Sequence, residues 1–141
     1  MKDNIYKTNL FLESVLLILI IVLLSGCSKK NDTDTGPVKN LKSGDTDKDL
    51  SEKGKNIFEQ KCLMCHRLDE KLVGPPLNGI TKIRKPEWIM NMILKPDKMI
   101  MEDDIAKKLL EEYKAPMTNQ FLSEDEAKAL LEYFRMNDEN K

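Results

Sequence analysis

The stretch Cys62-Leu63-Met64-Cys65-His66 decides how the rest of the chain is interpreted. Two residues separate the two cysteines and a histidine follows the second one, which is the C-x-x-C-H pattern of covalent haem attachment. Side chains three apart on a helical turn point the same way, so both thiols can bond to one porphyrin. His66 then lies under the ring and can give an imidazole nitrogen to the iron. We therefore expect one covalent haem c, with His66 as an axial iron ligand.

Other uses of this segment fit the sequence less well. The chain has three cysteines and one histidine, whereas a structural zinc site needs four ligands. A redox-active C-x-x-C of the thioredoxin kind needs a βαβ context, and no alternating strand pattern is visible. Zinc binding, thiol redox chemistry and chance occurrence in a core helix remain the alternatives.

The start of the chain is typical of an export signal rather than of a folded element. A weakly basic beginning precedes an unbroken apolar run over 15–24. Leu24-Ser25-Gly26-Cys27 follows, and it resembles the lipobox of bacterial lipoproteins, in which a peptidase cuts before the cysteine and the cysteine is then lipidated.

This resemblance implies a signal peptide over 1–26 and lipid chains on Cys27 that anchor the protein to a membrane. The folded domain would then be extracytoplasmic, on the periplasmic side or the cell surface. The alternative is an uncleaved transmembrane anchor. Such an anchor needs about 20 apolar residues, and Glu13 interrupts the longer apolar stretch.

The remaining chain divides into a linker, a domain and a short tail. Residues 27–48 are mostly polar and predict a flexible linker, a domain occupies 49–137, and 138–141 form the tail. Apolar periodicity and capping residues predict about four helices and an all-α fold, with helices over about 49–63, 86–94, 103–113 and 124–136. We expect Asp49 to cap the first helix and Ser123, with Glu126, to cap the last.

Beyond the motif, residues 49–137 resemble class I cytochromes c, the small bacterial monohaem type. Gly54 and Phe58 precede Cys62 in the family's spacing, and Leu130 and Tyr133 match the facing positions of its C-terminal helix. The resemblance implies the cytochrome c fold, with a close crossing of the two helices at the glycine.

The resemblance also assigns residues around the haem. Gly74-Pro75-Pro76-Leu77 matches the family's G-P-x-L loop, which implies that the Pro75 carbonyl accepts the second ring N–H of His66. Trp88 matches a tryptophan that lies beside the haem and donates to a propionate. A Pro-rich turn without that role and an ordinary core aromatic are the alternatives.

The sixth iron ligand implied by the resemblance is Met117, in a loop just before the last helix. Thr118 follows it where many members have proline. Methionine is usually core filler, so the other candidates have to be compared with the structure; they are Met90, Met92, Met99, Met101 and Met136.

A His66–Met117 ligand set implies an electron carrier rather than an enzyme. We expect transient redox protein partners, which link membrane respiratory donors to a terminal oxidase or nitrogen-oxide reductase, and no small-molecule substrate. The alternatives are a fixed haem subunit of a larger complex and a five-coordinate haem enzyme or sensor. Charged residues make up 33% of the chain but the net charge is only −1, which does not favour nucleic-acid binding. Basic residues dominate over 61–85, which indicates either a solvated face or a basic rim near the haem that steers acidic partners.

Overall fold

The structure, a computed structural model, describes residues 47–140 of the 141-residue chain. The predicted signal peptide, Cys27 and nearly all of the predicted linker lie outside the described residues. Within the described range the chain is helical without strands, which confirms the all-α prediction. The helices are α1 Lys48–Lys61, α2 Ile80–Ile83, α3 Pro86–Leu94, α4 Pro96–Glu102, α5 Asp104–Tyr113 and α6 Glu124–Glu139. No helix in this part of the chain is long and apolar enough to span a membrane.

The closest packing joins α1 to the C-terminal helix α6, and Gly54 makes it possible. A Cβ atom built on Gly54 would lie 1.9 Å from the carbonyl oxygen of Ala129 and 2.9 Å from Cβ of Tyr133. Only glycine therefore permits this crossing. Ala129 stands at the contact predicted for Leu130, which is itself fully buried.

An aromatic cluster continues this contact toward the C-x-x-C-H turn. Phe58 packs on Tyr133 at 5.5 Å and edge-on to Phe134 at 5.8 Å between ring centroids. Such pairs add about 0.5–1.5 kcal/mol beyond the area they bury. The packing of Phe58 on α6 thus fixes the end of α1, from which the C-x-x-C-H turn begins.

The caps explain where the helices differ from the sequence prediction. Asp47, and not Asp49, is the N-cap of α1, because its side chain accepts the N–H groups of Asp49 and Leu50. At α6 the expected capping box of Ser123 and Glu126 is present. Glu126 accepts the Ser123 N–H at 2.7 Å, and the Ser123 hydroxyl accepts the Glu126 N–H at 3.2 Å.

The described residues contain six helices rather than about four. The sequence predicts no helix between 94 and 103, yet Pro96 is the first residue of α4. Lys95 serves as C-cap of α3 and N-cap of α4, so the chain bends without a loop. Asp103 lies before α5 as its N-cap, where its carboxylate accepts two backbone N–H groups of the first turn.

The expectation of a tail over 138–141 is wrong at Asp138. The helix α6 continues to Glu139, and Asp138 is buried. Its carboxylate accepts the Gly79 N–H at 2.6 Å, and the N–H and hydroxyl of Thr81 at 3.0 and 2.6 Å. Asp138, near the C-terminal end of α6, therefore caps the short helix α2.

Candidate metal centre

The segment 62–66 forms a tight turn at the end of α1. The carbonyl of Cys62, which is the C-cap, accepts the N–H of Cys65 at 3.0 Å and of His66 at 2.9 Å. Cys62 is half-buried and Cys65 is exposed. Burial, with a smaller contribution from Cys65, raises the pKa of the Cys62 thiol to about 11.

Arg67 ties this turn together from its C-terminal side. Its guanidinium donates to the carbonyl of His66 at 3.1 Å and to the carbonyl of Leu63. These bonds give partners to two backbone carbonyls of the turn that follows α1.

The loop over 67–78, called here the proximal loop, orients the histidine ring. Nδ1 of His66 lies 3.0 Å from the carbonyl oxygen of Pro75, the contact that the resemblance implied. A carbonyl can only accept, so Nδ1 carries the proton and Nε2 is the nitrogen left for a metal. A Cβ atom on Gly74 would lie 2.4 Å from Cε1 of the same ring. The backbone at Gly74 and Pro75 therefore holds the His66 ring both by close packing and by a hydrogen bond.

His66 lines an apolar cleft of the domain. The lining also includes both motif cysteines and side chains from α3, α5 and α6. The loop over 114–122, called here the distal loop, contributes Met117 to the same cleft. Cys62, Cys65, His66, Pro75, Trp88 and Met117 all line this one cleft.

The burial pattern separates the candidate methionines. Met90 and Met99 are core residues with 0% and 1% exposure, and Met101 is 68% exposed. Among the methionines of the described residues, Met92 and Met117 line the cleft. Met92 belongs to the helix α3 and packs on the core cluster, whereas Met117 stands on a loop beyond it.

Trp88 lines the cleft, but its N–H points elsewhere than expected. The indole Nε1 donates to Oδ1 of Asp103 at 3.0 Å, and Asp103 is 1% exposed. An indole has one N–H, so the expected bond to a propionate is replaced by a structural link between α3 and the cap of α5. The sequence shows an aspartate just before α5. It contains no local pattern that indicates the bond to Trp88, because the two residues are 15 positions apart.

Arg84 offers a different donor near the same corner. Its guanidinium lies 5.4 Å from the centroid of the Trp88 ring. Its Nε is buried and has no hydrogen-bond partner within the described part of the chain. A buried donor of this kind requires an acceptor, and a carboxylate such as a haem propionate fits that requirement.

These features together fit a porphyrin better than a bare ion. The described residues contain no group of three or more His, Cys, Asp or Glu side chains that could hold a metal ion. Instead, two thiols, an imidazole oriented by a backbone carbonyl, and a thioether all line one apolar cleft. An iron held by a ring in this cleft would need only the two axial ligands that the chain offers.

Comparison with known proteins gives the same result. The family model for cytochrome c matches residues 51–137. The chain belongs to the class I c-type cytochromes. No curated protein matches the chain.

Solved structures extend the comparison. A cytochrome c from Rhodothermus marinus is 43% identical, with a TM-score of 0.75, over 77% of this chain and 94% of that one. An engineered form of that cytochrome, bound to a carbene intermediate, is 42% identical with a TM-score of 0.71 over 76% and 94%. The cytochrome c domain of the pp3183 protein from Pseudomonas putida is 29% identical, with a TM-score of 0.55 over 61% and 88%.

Membership of the family shows the cofactor and the general function. The cytochrome carries one covalently bound haem c, consistent with Cys62 and Cys65 in the C-x-x-C-H motif, and it is a monohaem electron carrier. Arg84, Asp103 and Asp138 could not be assigned to the site from the sequence. Asp103 and Asp138 act through contacts with residues 15 and 57–59 positions away, and the burial of the Arg84 Nε depends on the packing of the fold.

Proposed function

We propose that this cytochrome passes single electrons between membrane respiratory donors and a terminal acceptor outside the cytoplasm, either an oxidase or a nitrogen-oxide reductase. The observation that supports the proposal best is that two candidate iron ligands border one cleft. His66, with Nδ1 bonded to the carbonyl of Pro75, and Met117 both line it.

This ligand pair explains why the protein would carry electrons rather than transform a substrate. With His66 and Met117 both bound, no coordination position stays open. The haem, when bound, supplies a one-electron ferric–ferrous couple. A thioether ligand raises the potential relative to a second imidazole, and the apolar lining of the cleft favours the less charged reduced state.

The cellular setting is part of the proposal. Lipid chains on Cys27 would hold the domain at a membrane, and the polar segment that follows would act as a flexible tether. Redox partners would then bind briefly in turn, with no nucleic acid and no small-molecule substrate involved.

Replacement of the candidate methionines in the haem-loaded protein tests the ligand set. Met117→Leu should remove the sulfur-to-iron charge-transfer band, lower the potential in a redox titration, and let the ferric protein bind imidazole. Met92→Leu is the matched control, since Met92 also lines the cleft, and it should keep the wild-type spectrum.

Two results would contradict the proposal. A Met117→Leu protein with an unchanged spectrum would exclude Met117 as the ligand. A wild-type ferric protein that binds cyanide as fast as an open haem does would favour the five-coordinate enzyme or sensor instead.

A further inference from the structure

The N–H of Trp88 is already used within the protein, which separates this chain from the family pattern. The indole donates its single N–H to Oδ1 of Asp103 at 3.0 Å. Asp103 is buried, and the same oxygen accepts the backbone N–H groups of Ile105 and Ala106, each at 2.9 Å. An oxygen that also caps α5 is fixed in place, so it fixes the edge of the indole ring as well. Any propionate donor near Trp88 therefore has to come from another side chain.

The guanidinium of Arg84 is a donor next to this ring. Its central carbon lies 5.4 Å from the centroid of the Trp88 ring. One terminal nitrogen donates to the carbonyl of Ile83 at 3.1 Å, whereas the buried Nε has no hydrogen-bond partner among residues 47–140. A buried donor without a partner is destabilising, and more so when it belongs to a charged group. The Nε of Arg84 therefore requires an acceptor that these residues do not supply.

The backbone places Arg84 beside the cleft rather than within its lining. Arg84 is the C-cap of α2, and its N–H donates to the carbonyl of Ile80 at 2.9 Å. Ile80 and Trp88 both line the cleft, and Arg84 lies next to them without being a lining residue. The porphyrin ring of a haem is largely apolar, whereas its propionates are charged arms that extend beyond the ring. A guanidinium just outside an apolar lining suits a carboxylate of this kind.

We propose that Arg84 holds one haem propionate through its Nε, and that Asp103 positions Trp88 as the aromatic surface beneath the guanidinium. The tryptophan then acts through its ring face and not, as in the family pattern, through its N–H. The inference rests on the covalent haem that family membership shows and not on the respiratory partners proposed above. A cation beside a propionate offsets its negative charge, which favours ferrous haem because that form carries one positive charge fewer than the ferric form.

Variants of Arg84 in the haem-loaded protein test this contact. Arg84→Leu removes both the charge and the Nε–H, whereas Arg84→Lys keeps a charge without the planar set of donors. Lys82→Gln is the matched control, because it removes an exposed charge from α2 two residues earlier. The measurements are the propionate bending band in the resonance Raman spectrum and the potential in a redox titration.

Arg84→Leu should shift the propionate band and lower the potential. At a fixed applied potential the ferrous-to-ferric ratio should fall about three- to tenfold. Arg84→Lys should also shift the band but keep most of the potential, since a cation remains, and Lys82→Gln should change neither measurement. An unchanged band in Arg84→Leu would overturn the assignment, because the Nε would then only pack on the Trp88 ring. An equal fall of the potential in Lys82→Gln would overturn it too, since any nearby charge would then act alike.

The wild-type protein allows a measurement that does not depend on how well an Arg84 variant folds. In the diamagnetic ferrous form, proton NMR should show a nuclear Overhauser effect between Hε of Arg84 and the methylene protons of a propionate. The absence of this effect would contradict the proposed bond.

Trp88→Phe distinguishes the ring face of the tryptophan from its N–H. Phenylalanine keeps a ring for the guanidinium of Arg84 but leaves Asp103 without its indole donor. The variant should therefore unfold at a lower urea concentration, while the propionate band keeps its position. A band that moves as far in Trp88→Phe as in Arg84→Leu would identify Trp88 as the propionate donor and overturn the inference.

Discussion

The two loops that contribute to the cleft are held in different ways. A backbone hydrogen bond from the Gly74 N–H to the carbonyl of Cys65, at 2.8 Å, fastens the proximal loop to the motif, and a bond from the Leu77 N–H to the carbonyl of Arg67, at 3.0 Å, closes the loop on itself. In the distal loop, side-chain bonds mostly join neighbours, and one longer bond, from Asn119 to the carbonyl of Leu94 at 3.4 Å, reaches α3.

Backbone strain is distributed in the same uneven way. Lys114 and Phe121 have φ angles of 56° and 54°, and they are the only non-glycine residues of the range 47–140 with positive φ. Both belong to the distal loop, one at each end. The comparison teaches that His66, the proposed nitrogen ligand, is fixed by the backbone, while Met117, the proposed sulfur ligand, stands on a strained loop. Changes to the proximal loop should therefore damage the fold and the site together, and changes to the distal loop should act on the ligand alone.

The largest effect is expected at Gly74. In Gly74→Ala the new methyl group would lie 2.4 Å from the His66 ring, so the ring has to move away from its bond to Pro75. Overpacking of this kind costs about 3 kcal/mol. We expect urea unfolding to show that loss, and the visible spectrum to lose its low-spin form.

Gly79→Ala separates this clash from the general effect of removing a glycine. Gly79 has a φ of 78° but no atom within 4 Å of a built Cβ. Its replacement should cost about 1 kcal/mol through backbone strain and leave the spectrum unchanged. Equal spectral changes in both variants would contradict the packing role of Gly74.

The carboxylate of Asp138, which caps α2, should make the stability of the fold sensitive to acid. Burial alone would raise the pKa of Asp138, but the hydrogen bonds from Thr81, Gly79 and Asn137 outweigh it, so the pKa is lowered from 3.8. A group with a lowered folded-state pKa stabilises the fold above its unfolded pKa and loses that contribution as the pH falls through the folded value.

Asp138→Asn should therefore destabilise the protein by about 2 kcal/mol near neutral pH, since charged hydrogen bonds are lost. The difference from the wild type in urea unfolding should shrink as the pH falls below about 3.8, the value at which an unfolded aspartate titrates. A difference that stays constant down to about pH 2 would show that the charge of Asp138 has no part in capping α2.

Gly74 and Asp138 also show how much of the fold and the site the sequence could predict. Gly74 and His66 are eight residues apart in one motif-bearing segment, so their relation to Pro75 followed from the family resemblance. Asp138 bonds to residues 57 and 59 positions away, and nothing in a polar C-terminus indicates such a contact. The helix boundaries differed for a similar reason: Lys95 and Pro96 join α3 to α4 because both helices pack on the core, while the local pattern predicted a stop.

Strain in the distal loop predicts a stabilising substitution at Lys114. Glycine adopts a φ of 56° without the steric penalty of a side chain, and it is the usual residue after a helix end. Lys114→Gly should raise the free energy of unfolding by about 0.5–1 kcal/mol. The spectrum should not change, because the loop keeps its shape. A destabilised Lys114→Gly protein would show that the lysine side chain makes a contact that outweighs the strain.

The smallest effect is expected where the two loops meet. Lys71 of the proximal loop lies over the ring of Tyr113, the last residue of α5 before the distal loop. An exposed cation–π contact contributes about 0.5–1 kcal/mol. Tyr113→Leu should weaken the closure of the distal loop by that amount, so the ferric protein should bind imidazole about two- to fivefold more tightly.

Two further variants identify the interaction. Tyr113→Phe keeps the ring face and should bind imidazole like the wild type, whereas Lys71→Gln should resemble Tyr113→Leu. If the contact is what closes the loop, the double variant should gain little over either single one, because both changes remove the same interaction. Additive effects, or a Tyr113→Phe protein that behaves like Tyr113→Leu, would show that the loops are held together by something other than the cation over the ring.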